Sequence, residues 1–195
     1  KGVKIYTGVR VTGIELSAKR EVTKVNTNFG DIQTECVVNA AGQWSPRVGE
    51  MVGVHIPIVP MMNQYLTTKP IPGHELPSNS PVIRDPDNLF YCREDVGAYL
   101  FGGFETNPKP WSVDGVPWTF TQELLPGEWD IFEGIMAGAM RRIPILENAE
   151  AIELINGPDA FTPDGYYALG PVPGLKGFGV AACGSDNEIA GGGGI

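Results

Sequence analysis

Glu35-Cys36-Val37-Val38-Asn39-Ala40-Ala41-Gly42-Gln43-Trp44 is the stretch that decides the fold. Cys36 to Val38 is a short apolar run and reads as a strand. It runs into small residues, Ala40, Ala41 and Gly42, and a helix start follows at once. Ser45 reads as the N-cap and Pro46 as the first helical residue. Val48, Met51 and Val52 then share one helical face, and Gly53 is a natural C-cap. Small residues at such a junction let a ligand's phosphates approach backbone N–H groups, where a helix N-terminus favours negative charge. The same residues also suit an ordinary strand–turn–helix link in an α/β domain, and the segment alone leaves both readings open.

The chain has 195 residues, enough for one domain or two small lobes. Hydrophobic residues make up 42% and charged residues 19%, a globular balance. Lys+Arg 14 against Asp+Glu 23 gives a net charge of -9, which argues against nucleic-acid binding, and no basic run offsets it. No apolar stretch reaches the roughly 18 to 20 residues of a membrane helix, so no membrane partner is expected. Cys36, Cys92 and Cys183 are far apart and odd in number, a pattern that fits unpaired thiols in a reducing compartment. His55 and His74 stand apart from them, so no metal site is expected. The sequence opens at Lys1 in a strand pattern and stops at Ile195 after the run Gly191 to Gly194, where a helix start is expected. We therefore read it as an internal piece of a longer protein.

Val3, Ile5, Val9, Val11, Ile14 and Leu16 mark one or two strands around Thr7-Gly8. Glu21 to Asn26 and Asp31 to Asn39 read as a hairpin closed by Asn28-Phe29-Gly30-Asp31. Pro57 to Pro60 marks a change of region. Met62 to Thr68, Pro81 to Arg84, Leu89 to Arg93 and Ala98 to Phe104 predict a mostly antiparallel sheet with Pro-rich connections. Asn107 to Pro126 reads as a long loop pinned by Trp111 and Trp118. Glu128 to Arg142 predicts the clearest helix: Ile131, Phe132, Ile135, Met136, Ala139, Met140 and Ile143 form its apolar face. Arg141 and Arg142 suit its C-terminal dipole, and Pro144 stops it. Ala151 to Asn156 and Phe178 to Ala182 read as strands, with a Thr-Pro-Asp-Gly turn at 162–165 between them.

Three segments together carry a family resemblance: Val-Val-Asn-Ala-Ala-Gly-Gln-Trp (37–44), Asn-Gly-Pro-Asp-Ala-Phe-Thr-Pro-Asp-Gly (156–165) and Gly-Phe-Gly-Val-Ala-Ala-Cys-Gly (177–184). In order and spacing they resemble the FAD-dependent amino-acid oxidoreductases of the D-amino-acid oxidase superfamily, within the sarcosine and dimethylglycine dehydrogenase branch. Residues 100–110 (Leu-Phe-Gly-Gly-Phe-Glu-Thr-Asn-Pro-Lys-Pro) also resemble the regulatory subunit of pyruvate dehydrogenase phosphatase, a relative in that branch. The resemblance implies an α+β or α/β architecture. An incomplete FAD-binding Rossmann-like domain (1–57, resuming at 156–195) would flank an antiparallel-sheet substrate domain (58–155) that carries helix 128–142. The Gly-rich dinucleotide turn, the acidic ribose ligand and the flavin-linking histidine of many relatives would lie upstream, and a folate-binding module downstream. Residues 1–195 by themselves are then expected to hold FAD weakly.

The resemblance also implies roles. Val11 would meet the adenine edge through its backbone, or be a sheet-core valine. Ala40, Ala41 and Gly42 would line the diphosphate, and Trp44 would cover it or serve packing alone. Asn187, Glu188, Ile189 and Ala190 would wrap the flavin ring, with the Glu188 carboxylate an unusual neighbour for it. Tyr91 matches the tyrosine that faces flavin and substrate, where a phenol orients a small amine. Related enzymes pair it with a histidine in His-Gln-Tyr. Here the segment is Asn63-Gln64-Tyr65, and asparagine hydrogen-bonds but takes no proton at neutral pH. Arg84 and Arg93 are candidates for a substrate carboxylate, with surface pairing to Asp85 or Glu94 as the rival reading. The implied activity is oxidation of the N-methyl C–H of sarcosine or dimethylglycine, by hydride transfer to flavin. The implied partners are a small-molecule amine and an electron-transfer acceptor, and the implied compartment is bacterial cytoplasm or mitochondrial matrix. A catalytically inactive regulatory protein of the same fold is the alternative.

Overall fold

The computed structural model describes residues 2–182. They form two units. One comprises Lys1–Pro60, Ser112–Thr119 and Ala160–Ile195, the other Met61–Trp111 and Phe120–Asp159.

The first unit holds two small sheets. Strands β1 (Val11–Leu16), β2 (Val22–Thr27) and β3 (Gly30–Gln33) form an antiparallel meander in that order. The other sheet has the order β10 (Ala168–Pro171), β11 (Phe178–Ala182), β4 (Val37–Asn39), with β11 antiparallel to β10 and parallel to β4. The expected strand over Asp31 to Asn39 is therefore two strands in two sheets. The Thr34 hydroxyl accepts from the Cys36 N–H and donates to the Cys36 carbonyl, a local turn that ends β3. The Val37 N–H then donates to Gly177 O at 2.7 Å. Nor do Val3 to Val9 form the expected strand. β1 is the edge of its sheet, and Val3 and Ile5 are exposed with no apolar face to cover. Ile14, Val22 and Val25 share one core with Val52, Ile56, Ile58, Phe178 and Val180.

Helix α1 (Ser45–Glu50) follows a 3-10 turn at Gly42–Trp44. Val48 and Met51 lie against the core and Val52 is buried in it, as their spacing predicts. Gly53 (φ 69°) ends the helix: its N–H donates to Glu50 O and the Val54 N–H to Gly49 O, a Schellman pattern. Ser45 is not the N-cap. It is the first helical residue, Trp44 occupies the cap without a side-chain bond, and the Ser45 side chain is buried.

The second unit is one sheet with a helix on one face. Its order is β6 (Ile83–Asp85), β7 (Phe90–Asp95), β8 (Ala98–Gly103), β5 (Val59–Thr68), β9 (Ala151–Phe161). Phe90, Cys92 and Phe101 point to helix α2 (Trp129–Arg142) and bury Phe132, Ile135 and Ala139. The Phe101 and Phe132 rings stack at 5.9 Å. Each such side chain contributes roughly 1.5–3 kcal/mol. Gln64 starts the helix: its Oε1 accepts from the Glu128 N–H at 2.7 Å and its Nε2 donates to Glu128 O at 3.3 Å. That amide, from a neighbouring strand, replaces the side-chain cap that Glu128 lacks.

β9 runs five residues past the expected end at Asn156. It lies at the sheet edge, where a proline such as Pro158 is tolerated. The stretch over 107–126 is a loop as expected, with no helix or strand between β8 and α2, but it divides between the units. Residues 112–119 belong to the first unit, while Trp111 packs on Phe120 at 4.5 Å in the second. β10 was not expected, because Ala168 to Pro171 is too short and mixed to show a period.

Candidate active site

The sequence-predicted residues fall into two groups, one in each unit. In the first unit the parallel register pairs Phe178 with Val37, Gly179 with Val38 and Val180 with Asn39. Both chains thus leave the sheet at one edge, β4 into Ala40-Ala41-Gly42 and β11 from Ala182. In open α/β sheets, ligands bind outside the carboxyl ends of such strands. Asn39 is buried and shapes this edge: its Nδ2 donates to Ser45 O at 3.0 Å and its Oδ1 accepts from the Ala41 N–H at 3.2 Å. Sequence reading did not single out Asn39, although an asparagine ending an apolar strand is a turn signal. Ala40 is exposed, and Gly42 (φ 52°) has open space where a side chain would stand.

Trp44 is half-buried. Its indole N–H is committed to Pro117 O at 3.1 Å, so only its ring faces remain to cover anything. Arg47 braces the same segment, donating to Val116 O at 2.7 Å with its guanidinium 5.2 Å from the Trp118 ring. Val11 opens β1, opposite Thr27, and lies partly in the core. Asn187, Glu188, Ile189 and Ala190 lie outside the described residues.

In the second unit the register sets Arg84 opposite Tyr91, Tyr91 opposite Gly102 and Gly102 opposite Tyr65. Residues directly opposed in a ladder share a face, so these four form a row across β6, β7, β8 and β5. It lies on the side of the sheet away from α2. Asn63 and Phe104, two residues along from Tyr65 and Gly102, project to the same side. Gly102 is the gap in the row. A Cβ there would stand 2.6 Å from Tyr91 Oη and 2.8 Å from Tyr65 Cβ, so the phenol lies across the glycine. Phe104 has its ring centroid 4.8 Å from the Arg84 guanidinium and 6.2 Å from the Tyr91 ring. Gly102, Phe104 and Tyr65 were missed as site residues. The Gly-Gly pair inside an apolar strand was the available signal, since such glycines mark a close approach.

The structure separates the two arginines. Arg93 donates to Glu94 O at 2.9 Å and pairs with Asp95 at 3.4 Å. Asp95 is two residues on and shares its face, whereas the Glu94 side chain turns away to accept from the Gly97 N–H. Arg84 makes no ion pair among the described residues. The expected rival, Asp85, projects to the opposite face and accepts instead from the Asn88 backbone and side chain, with Arg142 at 3.7 Å. The Asn88 side-chain hydrogen bond, helped by its backbone N–H and by the Arg142 charge, holds the Asp85 carboxyl below its ordinary value. On the helix face, burial pushes the Cys92 thiol up to about 11, which leaves it a packed, unreactive group. No group of His, Cys, Asp and Glu among the described residues is arranged to hold a metal.

The profile of the DAO family, described as FAD dependent oxidoreductase, matches residues 1–195. The chain belongs to this family. It is 38% identical over 182 residues to mitochondrial sarcosine dehydrogenase of Mus musculus, covering 91% of this chain and 19% of that protein. It is 33% identical over 193 residues to mitochondrial dimethylglycine dehydrogenase of Rattus norvegicus, covering 91% and 22%. It is 38% identical over 183 residues to the mitochondrial pyruvate dehydrogenase phosphatase regulatory subunit of Mus musculus, covering 93% and 20%. The chain thus spans about a fifth of the length of these relatives. The crystal structure of L-proline dehydrogenase from P. horikoshii superposes with a TM-score of 0.73 at 25% identity, over 93% of this chain and 45% of that one. The architecture is accordingly a mixed α/β part of the DAO-type fold.

FAD is the cofactor of this family. The first unit fits it on three counts: a parallel-strand edge, the open space over Gly42, and two buried polar atoms, Gln43 Oε1 and Ser45 Oγ, without partners among the described residues. Buried polar atoms of that kind call for a ligand or water to satisfy them. Among the described residues no helix is long and apolar enough to cross a membrane.

Proposed function

We propose that this chain is part of an FAD-dependent amine dehydrogenase acting on a glycine-derived N-methyl amine, sarcosine or dimethylglycine. One observation carries the reading: the Arg84–Tyr91–Gly102–Tyr65 row sets a cation and a phenol side by side on one sheet face. Arg84 holds the substrate carboxylate by a bidentate fork. The Tyr91 phenol orients the amine nitrogen and favours its unprotonated form, whose lone pair assists loss of the N-methyl hydride. Asn63 donates or accepts a hydrogen bond but moves no proton. Arg93, tied to Asp95, contributes positive charge at the far end of the face rather than direct contact. When bound, the flavin supplies the hydride acceptor. Ala40, Ala41 and Gly42 would hold its diphosphate side with Trp44 as cover, and Val11 would meet the adenine; by resemblance Asn187, Glu188, Ile189 and Ala190, outside the described residues, would meet the flavin ring.

In this reading, residues 1–57 and 156–195 serve the FAD-binding domain together with 112–119, and the rest of 58–155 the substrate domain. The iminium product yields formaldehyde or a folate one-carbon unit, and an electron-transfer partner reoxidises the enzyme. The compartment is the bacterial cytoplasm or the mitochondrial matrix, the latter in line with the mitochondrial relatives. The test is anaerobic addition of sarcosine and of dimethylglycine to the full-length flavoprotein. The expected result is bleaching of the flavin band with at least one; flavin that stays oxidised with both rejects the substrate class.

A second reading has its own support. By the resemblance, Asn63 takes the place of a histidine of related dehydrogenases, and one relative of 38% identity is a phosphatase regulatory subunit. A flavin-loaded protein that is inactive, and stays inactive as Asn63→His, favours a regulatory role.

A further inference from the structure

We propose that Phe104 is a positioning residue, which holds the Arg84 guanidinium and the Tyr91 phenol as one unit and so gives the site its preference for carboxylate-bearing amines. The inference rests on Arg84 serving as the carboxylate fork. Two contacts define the unit: the guanidinium over the Phe104 ring at 4.8 Å, and the Tyr91 ring tilted against it at 6.2 Å. An arginine on an exposed edge strand loses considerable side-chain freedom when it binds an anion. An aromatic face that already holds the cation removes part of that cost before the ligand arrives.

The backbone that carries the ring is anchored. The Phe104 N–H donates to Leu89 O at 3.0 Å, and Leu89 stands in the left-handed region at φ 58°. Gly103 makes that approach possible, since a Cβ there would collide with the Leu89 carbonyl and stand 2.8 Å from Ile135. Strain at a non-glycine residue persists only where its surroundings over-determine it, and such strain gathers at working sites. Leu100-Phe101-Gly102-Gly103-Phe104 therefore has one physical reading. Gly102 makes room for the phenol, Gly103 admits the strained carbonyl, and Phe104 receives the guanidinium.

The experiment uses the full-length flavoprotein and four forms: wild type, Phe104→Leu, Phe104→Met and Phe104→Tyr. Binding of methoxyacetate, a carboxylate isostere of sarcosine that cannot be oxidised as an amine, is measured by calorimetry. KM and kcat are measured for dimethylglycine and for its methyl ester. Leu and Met are expected to weaken methoxyacetate binding and raise KM for dimethylglycine about four-fold, the range of a cation–π contact at an exposed site. KM for the ester should move less than about two-fold, because the ester offers no anion to the fork. Tyr, which keeps the ring, should restore wild-type values. Methoxyacetate binding that is the same in all four forms, or absent from the wild type, overturns the proposal. So does an equal loss for acid and ester, which a merely structural role would give. Ring-dependent methoxyacetate binding without turnover of any N-methyl amine leaves Phe104 in its role and removes the proposed enzymatic function instead.

Discussion

The two candidate regions are built on opposite principles. The strand edge in the first unit is made by leaving side chains out: Ala40, Ala41 and Gly42 expose backbone, and Gly42 has open space around it. The sheet face in the second unit is made by bringing side chains in, from β6, β7, β8 and β5, around the single gap at Gly102. One region therefore tolerates no added bulk where a ligand must come close. The other tolerates no change in register, because a slip of one residue would send Arg84, Tyr91 and Tyr65 to the face that packs on α2.

Glycine substitutions should break this contrast most sharply. Gly177 has φ 81°, and a Cβ there would collide with the Glu35 carbonyl as the chain enters the β4–β11 pair. Gly177→Ala should cost about 3 kcal/mol, read as a fall in the urea midpoint, because backbone rather than a flexible side chain blocks the methyl. Gly42→Ala meets nothing within 4 Å and should cost only about 1 kcal/mol for its left-handed backbone. In the full-length protein, however, it should lower the FAD content. Equal stability losses at the two positions would show that the edge is not open.

The next effect concerns the helix beneath the second region. Gln64→Leu leaves the Glu128 N–H without its partner beside a buried side chain, while the Glu128 carbonyl keeps the Phe132 N–H, at a cost of about 2 kcal/mol. Amide exchange should rise at the start of α2 before it rises in β8. Unchanged protection at residues 128–132 would mean that the helix start does not depend on the strand.

The contrast also explains what could be read in advance. Ala40-Ala41-Gly42 was legible because its chemistry is contiguous: a strand, small residues and a helix in one short run. The face of α2 was legible because a period of 3.6 residues fits a single covering layer. The Arg84–Tyr91–Gly102–Tyr65 row was not legible as a row. Its members span Tyr65 to Gly102 in sequence and meet only through three ladder registers, which local patterns do not specify. Tyr91, Asn63 and the two arginines came forward by resemblance and residue type, and only the structure distinguishes Arg84 from Arg93. Ser45 misled for a local reason: a serine before a proline matches the capping statistics, but the 3-10 turn at Gly42–Trp44 starts the helical chain earlier.

A smaller effect sharpens the register side of the comparison. Val96 and Gly97 form the two-residue turn between Asp95 and Ala98, with φ 53° and 79°. A β-branched residue is costly in the left-handed region, and Val96 is 89% exposed, so packing returns little. Val96→Asn should raise stability by about 1 kcal/mol, seen as a higher melting temperature. Because the variant keeps the three registers that assemble the row, it should leave the KM for amine unchanged; a changed KM would mean that the turn itself sets the row.

The smallest effect is a dependence on pH. Asp85 has its carboxyl held below the ordinary value of 3.8, first by the Asn88 side chain and then by the Asn88 N–H and Arg142. A lowered folded-state value means that the unfolded chain takes up the proton first. The stabilisation is therefore complete above about pH 5 and is lost as pH falls below about 4. Asp85 closes the turn from β6 into β7 through Asn88, so its protonation loosens the strand that carries Arg84. Asp85→Asn should flatten the fall in melting temperature between about pH 4 and pH 2, with little change at neutral pH. Glu15 and Asp31 in the first unit, both lowered chiefly by Lys24, keep their own acid response in that variant. Whatever slope remains then belongs to the meander and not to the sheet that presents the row.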